Sequence, residues 1–389
     1  MRCPIPVLVC ATLCFTNTFA QLTQAPPRQP GVPFQSQAGH MEKGAVQERL
    51  NRVRTAVFSG AGRIDESIQE LKAILALDPR SAEAHLLLGV AYRSLGSAEL
   101  MAEAKAELRQ ALALDPALVP ARLYLAHAYL DFGQAKSARD ELNTALAQLP
   151  GHPQFMALLG ESERRMGNPR RSVEVNLQVL QADESFAQAR YYLSLALLDL
   201  GRHDEAIQEM ERVVRSGVEQ ADVFLSLGGA YLETNRSGEA STILRRGVQI
   251  DPSRSDLRIQ LARAYRASGL LDEAEQQLKL AAPDGAAALA SPYYQYQQME
   301  SDFYLELGLV QMDQGRLEAA AQAFQKVLDR DPDHGPANRH LAEVYLLQGL
   351  YTPSLKHADR AKELGFPLPE DKRRLLRERL PARKPGGQE

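Results

Sequence analysis

The residues of this 389-residue chain best suited to metal, thiol or acid–base chemistry are three cysteines, eight histidines and the carboxylates. Cys3, Cys10 and Cys14 stand in the first segment, and no cysteine follows them. A disulfide framework, a thiolate zinc site and a cysteine nucleophile are thereby excluded from the body of the protein. The histidines are His40, His85, His127, His152, His203, His334, His340 and His357. None belongs to an H-E-x-x-H pair, and none stands at ligand spacing from a set of carboxylates. Asp and Glu concentrate at the starts of helix-like segments, as in Asp204-Glu205 and Asp272-Glu273. There they favour the helix dipole and solvent, not a catalytic pair. The glycine patterns of phosphate loops, nucleophile elbows and dinucleotide-binding turns are absent. No catalytic residue, metal or cofactor is expected, and the chain does not read as an enzyme.

What remains is binding, and composition narrows it. The formal net charge is -4, too slight for a polyanion-binding chain, so nucleic acid is not an expected partner. The basic run Lys372-Arg373-Arg374, with Arg377, Arg379, Arg383 and Lys384, reads as a solvated helix face and tail. Ala, Leu, Glu, Gln and Arg are abundant and Trp is missing, which favours helices. The chain exceeds a usual single-core domain. A repeat array escapes that limit because its core grows along one axis.

The first twenty or so positions differ from the rest. Arg2 is followed by a mostly apolar stretch from Ile5 to Phe15 and by Thr18-Phe19-Ala20. This is the pattern of a secretory signal peptide cut after Ala20, which points to the periplasm or to secretion. The alternative is an uncleaved N-terminal anchor. The stretch is shorter than the roughly 20 residues that span a bilayer, so no stable membrane span is expected. Val9 before Cys10 and Leu13 before Cys14 are poor matches to the small residue of a lipid-attachment site. The expected organisation is a leader at 1–20 and a Gln-, Pro- and Gly-rich linker at 21–44. An array of helix pairs at 45–366 follows, with an insertion near 283–300, and then a capping helix and basic tail at 367–389.

The array is read from columns. Gly62, Gly96, Gly133, Gly167, Gly201, Asn235, Gly269, Gly315 and Gly349 recur, most often 34 residues apart. Each lies between two apolar-periodic segments, where a left-handed helix end needs Gly or Asn. Seven residues earlier stand Gly89, Ala126, Gly160, Ser194, Gly228, Ala262, Gly308 and Ala342, all small enough for a tight helix crossing. Nine residues after the turn a mostly apolar column runs through Leu71, Leu142, Asn176, Met210, Leu244, Leu278, Phe324 and Ala358, joined by Leu108 after a short insertion. Many units close on Asp-Pro, as at Asp78-Pro79 and Asp331-Pro332.

These columns resemble the tetratricopeptide repeat, with its L-G-x2-Y, A-x3-F and Pro positions. Leu88-Gly89-Val90-Ala91-Tyr92 and Leu227-Gly228-Gly229-Ala230-Tyr231 carry the first part closely. The resemblance implies an all-α fold, an α-solenoid of about nine antiparallel helix pairs in a superhelix. The first unit, with Arg54 and Thr55 at consensus positions, behaves as a terminal cap. The fourth departs at Glu163, Asn176 and Glu184. In the eighth, Ser291-Pro292 opens a first helix running to about Gln314, with Tyr293, Tyr294 and Tyr296 on its overhang. A charged helix at 369–380 would cover the last unit with Leu375, Leu376 and Leu380.

The resemblance also implies that the first helix of each pair lines a groove. Register from the small-residue column places Leu123, His127, Leu130, Arg164, Tyr191, Leu195, Leu198, Leu225, Leu232, Arg263, Arg266, Leu309 and Met312 there, on one helical face. An apolar groove with Arg at intervals suits a peptide or amphipathic helix of a partner protein, its acidic groups meeting Arg164, Arg263 and Arg266. The alternative is that these leucines are buried against neighbouring helices. The Lys and Asn positions with which some relatives clamp a chaperone's terminal carboxylate are not matched. Tyr293, Tyr294 and Tyr296 read either as an aromatic contact site or as packing of the insertion. The expected function is a non-catalytic scaffold, in cell-envelope assembly by resemblance. The competing class is a carbohydrate- or peptidoglycan-binding module.

Overall fold

The computed structural model describes residues 37–59, 64–95, 98–282 and 294–379, with side chains given from residue 45 except at 59, 98–99 and 294–298. Among the described residues the chain forms nineteen helices. The first helices of the pairs are α1 (Gln37–Ser59), α3 (Ala82–Ser94), α5 (Val119–Asp131), α7 (Pro153–Arg165), α9 (Ala187–Asp199), α11 (Ala221–Glu233), α13 (Ser255–Ala267), α15 (Tyr294–Asp313) and α17 (Gly335–Leu347). Their second helices are α2 (Ile64–Leu77), α4 (Ala98–Leu114), α6 (Ala135–Gln148), α8 (Pro169–Ala182), α10 (His203–Arg215), α12 (Ser237–Ile250), α14 (Leu271–Ala281), α16 (Leu317–Arg330) and α18 (Tyr351–Glu363). The helix α19 (Glu370–Arg379) follows. The chain is an all-α solenoid, and it divides into two compact units between Val223 and Phe224, within α11.

The turn column does what its residue types require. Gly133, Gly167, Gly201, Gly269, Gly315 and Gly349 have φ between 70° and 86°, and Asn235 has φ 58°. The left-handed residue lets the next amide reach back to the helix, as where Arg236 N–H donates to the Tyr231 carbonyl at 2.8 Å. Connections between units use a different device. Asp78, Asp115, Asp183, Asp251 and Asp331 each accept, at Oδ1, the backbone N–H two residues on, over 2.9–3.2 Å. A short carboxylate thereby holds the chain in a turn before the next helix.

Small residues set the crossings within pairs. A Cβ at Gly228 would lie 2.4 Å from Leu244 Cγ, and one at Gly308 would lie 2.6 Å from Phe324 Cε1. Both partners come from the mostly apolar second-helix column. Another column was not legible in the sequence. Arg122, Arg190, Arg258 and Asn338 each donate to the backbone carbonyl six residues earlier, at 2.7–3.0 Å. Each also bonds a side chain on its own second helix: Glu141, Glu209, Gln277 and His357. One side chain thus ties a connection, a first helix and a second helix together.

The start of α1 and the buried face of α19 differ from expectation, while α15 keeps close to its expected span. Helix α1 begins at Gln37, inside the stretch read as linker, because extending an anchored helix costs far less than nucleating one. Helix α15 starts at Tyr294 and ends at Asp313. On α19 Leu376 is 3% exposed and packs with Ala342, Leu346, Ala358 and Leu368, whereas Leu375 is 41% exposed. Adjacent helical positions are about 100° apart, so the two leucines cannot share one buried face. Leu380, the leader with its cysteines, and Gly62 and Gly96 lie outside the described residues.

Candidate functional site

In the first unit the inner face of the first helices is closed by packing. Leu123, Leu130, Tyr191 and Leu195 are all buried, and Leu198 is half-buried. His127 is 6% exposed. Burial, with the Arg93 and Arg165 guanidiniums nearby, holds its imidazole well below the usual histidine range.

Arginines join these helices to one another. Arg93 of α3 donates to Asp131 of α5 at 2.7 Å. Arg165 of α7 donates to the Leu130 carbonyl at the end of α5 at 2.8 Å, and Arg164 donates to Asp199 of α9 at 3.0 Å. Both Arg164 and Arg165 also grip Glu161, whose side chain is 1% exposed. Burial by itself would raise the Glu161 carboxyl. The two guanidiniums overcome this and hold it at about 2. Charge-assisted bonds of this kind satisfy a buried carboxylate that would otherwise be strongly disfavoured.

In the second unit the same register is open. Leu225 is buried, but Leu232, Arg263, Leu309 and Arg266 are half-buried, as are Leu305 and Met312. Arg266 donates through Nε to Glu306 Oε1 at 2.5 Å and through Nη1 to Asp313 Oδ2 at 3.4 Å. Arg263 donates to Glu306 Oε2 at 3.3 Å and to Gln260 Oε1 at 3.4 Å. Glu306 is 1% exposed. The face around these pairs is apolar, through Leu305, Leu309 and Met312 packed on the cluster of Phe324, Leu341 and Val344.

At the end of this unit Lys372 of α19 reaches back to Glu343 of α17 at 2.9 Å, where Arg339 and His340 also converge. Burial raises the Glu343 carboxyl, while His340 and Lys372 bring it down to about 2. Lys372, from the run read as a solvated face, therefore helps fasten the cap. The side chains of Tyr293, Tyr294 and Tyr296 lie outside the described residues.

The residues read as lining a groove all lie on first helices of the pairs, in different circumstances. Arg164, Arg263 and Arg266, expected to meet a partner's acids, are engaged by Glu161, Asp199, Glu306 and Asp313 of this chain. Sequence reasoning passed over these acids. For Asp199 and Asp313 the signal was a column two residues before the turn that also carries Asp131 and Glu233. Read across neighbouring repeats, Asp131, Asp199 and Asp313 of that column meet Arg93, Arg164 and Arg266. Among the described residues no helix is long and apolar enough to cross a membrane.

Models described as tetratricopeptide repeats match residues 57–100, 97–161, 157–221, 231–295 and 305–365. The chain belongs to the tetratricopeptide repeat family. Among curated proteins none matches it. A chain of the APC/C Cut9–Hcn1 hetero-tetramer is similar in fold, with TM-score 0.66 and 15% identity, over 87% of this chain and 63% of that one. This chain therefore spans less than two thirds of that relative. A tetratricopeptide repeat protein from Parabacteroides merdae ATCC 43184 aligns with TM-score 0.50 and 15% identity, over 67% of this chain and 99% of the other. At such identity the likeness concerns the fold. Proteins of this family generally serve as non-catalytic scaffolds for protein interactions, and family and fold together support that reading here.

Proposed function

We propose that the protein is an exported scaffold that holds a peptide or helix of a partner protein on the inner face of its second unit, in service of cell-envelope assembly. The observation that carries the reading is the half-exposed apolar surface formed by Leu305, Leu309 and Met312 beside Arg263 and Arg266. An apolar face on rigid helices, rimmed by polar groups, is the usual ground for a partner helix. The first unit supplies its own packing instead, since its corresponding residues Leu123, Leu130, Tyr191 and Leu195 are buried. Export rests on the N-terminal pattern of Arg2, the apolar stretch and Ala20.

The test is in vivo crosslinking of the full chain, with Leu309→Asp and Met312→Asp combined. Loss of the crosslinked partner, with the helical circular-dichroism spectrum and melting temperature retained, is the expected result. An unchanged crosslinking pattern from the folded double variant overturns the assignment of the face. For export, the mature N-terminus in the periplasmic or secreted fraction is expected at Gln21. Recovery of the full-length chain in the cytosol refutes it.

A further inference from the structure

The two arginines of the second unit carry information about what lies on them. Arg263 and Arg266 are three residues apart on α13 and share a face. Glu306, Leu309 and Asp313 form one face of α15, at helical spacings of three and four. Arg266 bonds both Glu306 and Asp313, so its guanidinium runs alongside Leu309. Both guanidiniums spend their Nε and Nη1 donors on acceptors of this chain. Their charge is matched by Glu306 and Asp313. An incoming carboxylate would find the Nε and Nη1 atoms already engaged and would face two carboxylates of like charge.

Part of each arginine side chain stays accessible. The side chains of Arg263 and Arg266 are 28% and 25% exposed, within the apolar surround of Leu305, Leu309 and Met312. A guanidinium is planar, weakly hydrated and stacks on aromatic rings, and holding its edge fixes the plane in advance. The same unit already uses this contact internally. Arg236 lies 4.6 Å from the Tyr231 ring centre, and Arg246 lies 4.9 Å from that of Phe224. In both cases a ring of this chain fills the place that a ligand would take over Arg263 and Arg266.

We infer that the inner face of the second unit selects a partner segment bearing an aromatic side chain among apolar neighbours, seated on the guanidinium planes of Arg263 and Arg266. This rests on the reading of that face as the binding surface, and it replaces acid recognition by stacking. Charge neutrality of the cluster and the apolar surround both favour a ring over a carboxylate.

The absence of Trp from the chain makes the test direct, since indole emission then comes from the probe alone. The probes are capped Leu-Trp-Leu, Leu-Glu-Leu and Leu-Leu-Leu peptides, added to the full chain. Saturable change in indole emission and anisotropy is expected, with Leu-Glu-Leu competing no better than Leu-Leu-Leu. Arg263→Lys with Arg266→Lys keeps the charge but removes the planes, and should weaken the Trp probe about threefold to tenfold. Stronger competition by Leu-Glu-Leu overturns the inference, as does equal affinity in the double Lys variant. Leu309→Asp separates the two levels. If it abolishes probe binding while the Lys variant does not weaken it, the surface stands and the stacking fails. If it leaves probe binding intact, the surface assignment itself fails.

Discussion

Arg266 on α13 and Glu306 on α15 meet at 2.5 Å, across the connection that departs most from the repeat period. The pair joins first helices of consecutive repeats where spacing no longer enforces register. In the first unit Arg165 and Glu161 do comparable work, since Arg165 also takes the Leu130 carbonyl at the end of the preceding first helix. In each unit the centre of the arrangement is a glutamate removed from water.

Glu161→Ala should therefore be severe. It strands the Arg164 and Arg165 guanidiniums beside a vacant space, and breaking a buried pair costs about 3–5 kcal/mol. Urea unfolding followed by circular dichroism measures it. A loss below about 1 kcal/mol would place these arginines in water, contrary to the observed packing.

Acid sensitivity should begin with the buried and half-buried histidines, His127 above all, before any of the low-lying carboxylates. The folded pKa of His127 lies below the ordinary 6.5, so below that pH the unfolded chain takes up a proton that the folded chain refuses. Its contribution is full at neutral pH and falls by at most about 1.4 kcal/mol per pH unit between 6.5 and its folded pKa, and His152, His334 and His357, also lowered chiefly by burial, lose theirs from the same starting point. Glu161, Glu275 and Glu343, held at about 2 from 4.5, add their loss only as the pH drops through the interval between those values. Thermal melts of native protein and His127→Leu across mildly acid pH check this. A shallower dependence in the variant is expected, and parallel curves refute the assignment.

Asn176→Leu should stabilise the fourth repeat. Asn176 is fully buried opposite Gly160, and its Oδ1 has no hydrogen-bond partner. The corresponding pair two units on is Gly228 with Leu244, a purely apolar crossing. Relieving an unsatisfied buried carbonyl is worth about 1–3 kcal/mol, less the bond from Nδ2 to the Ser172 carbonyl. A raised urea midpoint is the expected result, and a lowered one would show that the amide is needed there.

Asn235 is the non-glycine residue at positive φ in the turn column. Asn235→Val should cost roughly 1–2 kcal/mol, because a branched Cβ collides with the following carbonyl in the left-handed region. Asn235→Gly should be neutral or slightly stabilising. Melting temperatures of the two variants distinguish backbone strain from any contact of the amide, since a contact would make both variants unstable.

The sequence by itself determined the repeat, its register and its turns. A left-handed helix end admits few residue types, and a close helix crossing admits only small ones, so Gly133, Asn235 and Gly228 announce their places one by one. Local sterics acts within a few residues and is therefore legible in a string. What the string did not disclose is which inner-face residues are free. Leu195 and Leu309 occupy the same register position, yet one is buried and the other half-exposed. Exposure depends on the side chains of helices some 34 residues away and on how closely those helices approach. The partners of Arg164, Arg263 and Arg266 were hidden for the same reason. Apart from Glu161, three positions before Arg164 on the same helix, their acids stand 35, 40, 43 and 47 positions off, brought near by helix packing and not by spacing along the chain. Tertiary structure thereby matched these arginines with acids of the same chain and left Leu305, Leu309 and Met312 half-exposed beside Arg263 and Arg266.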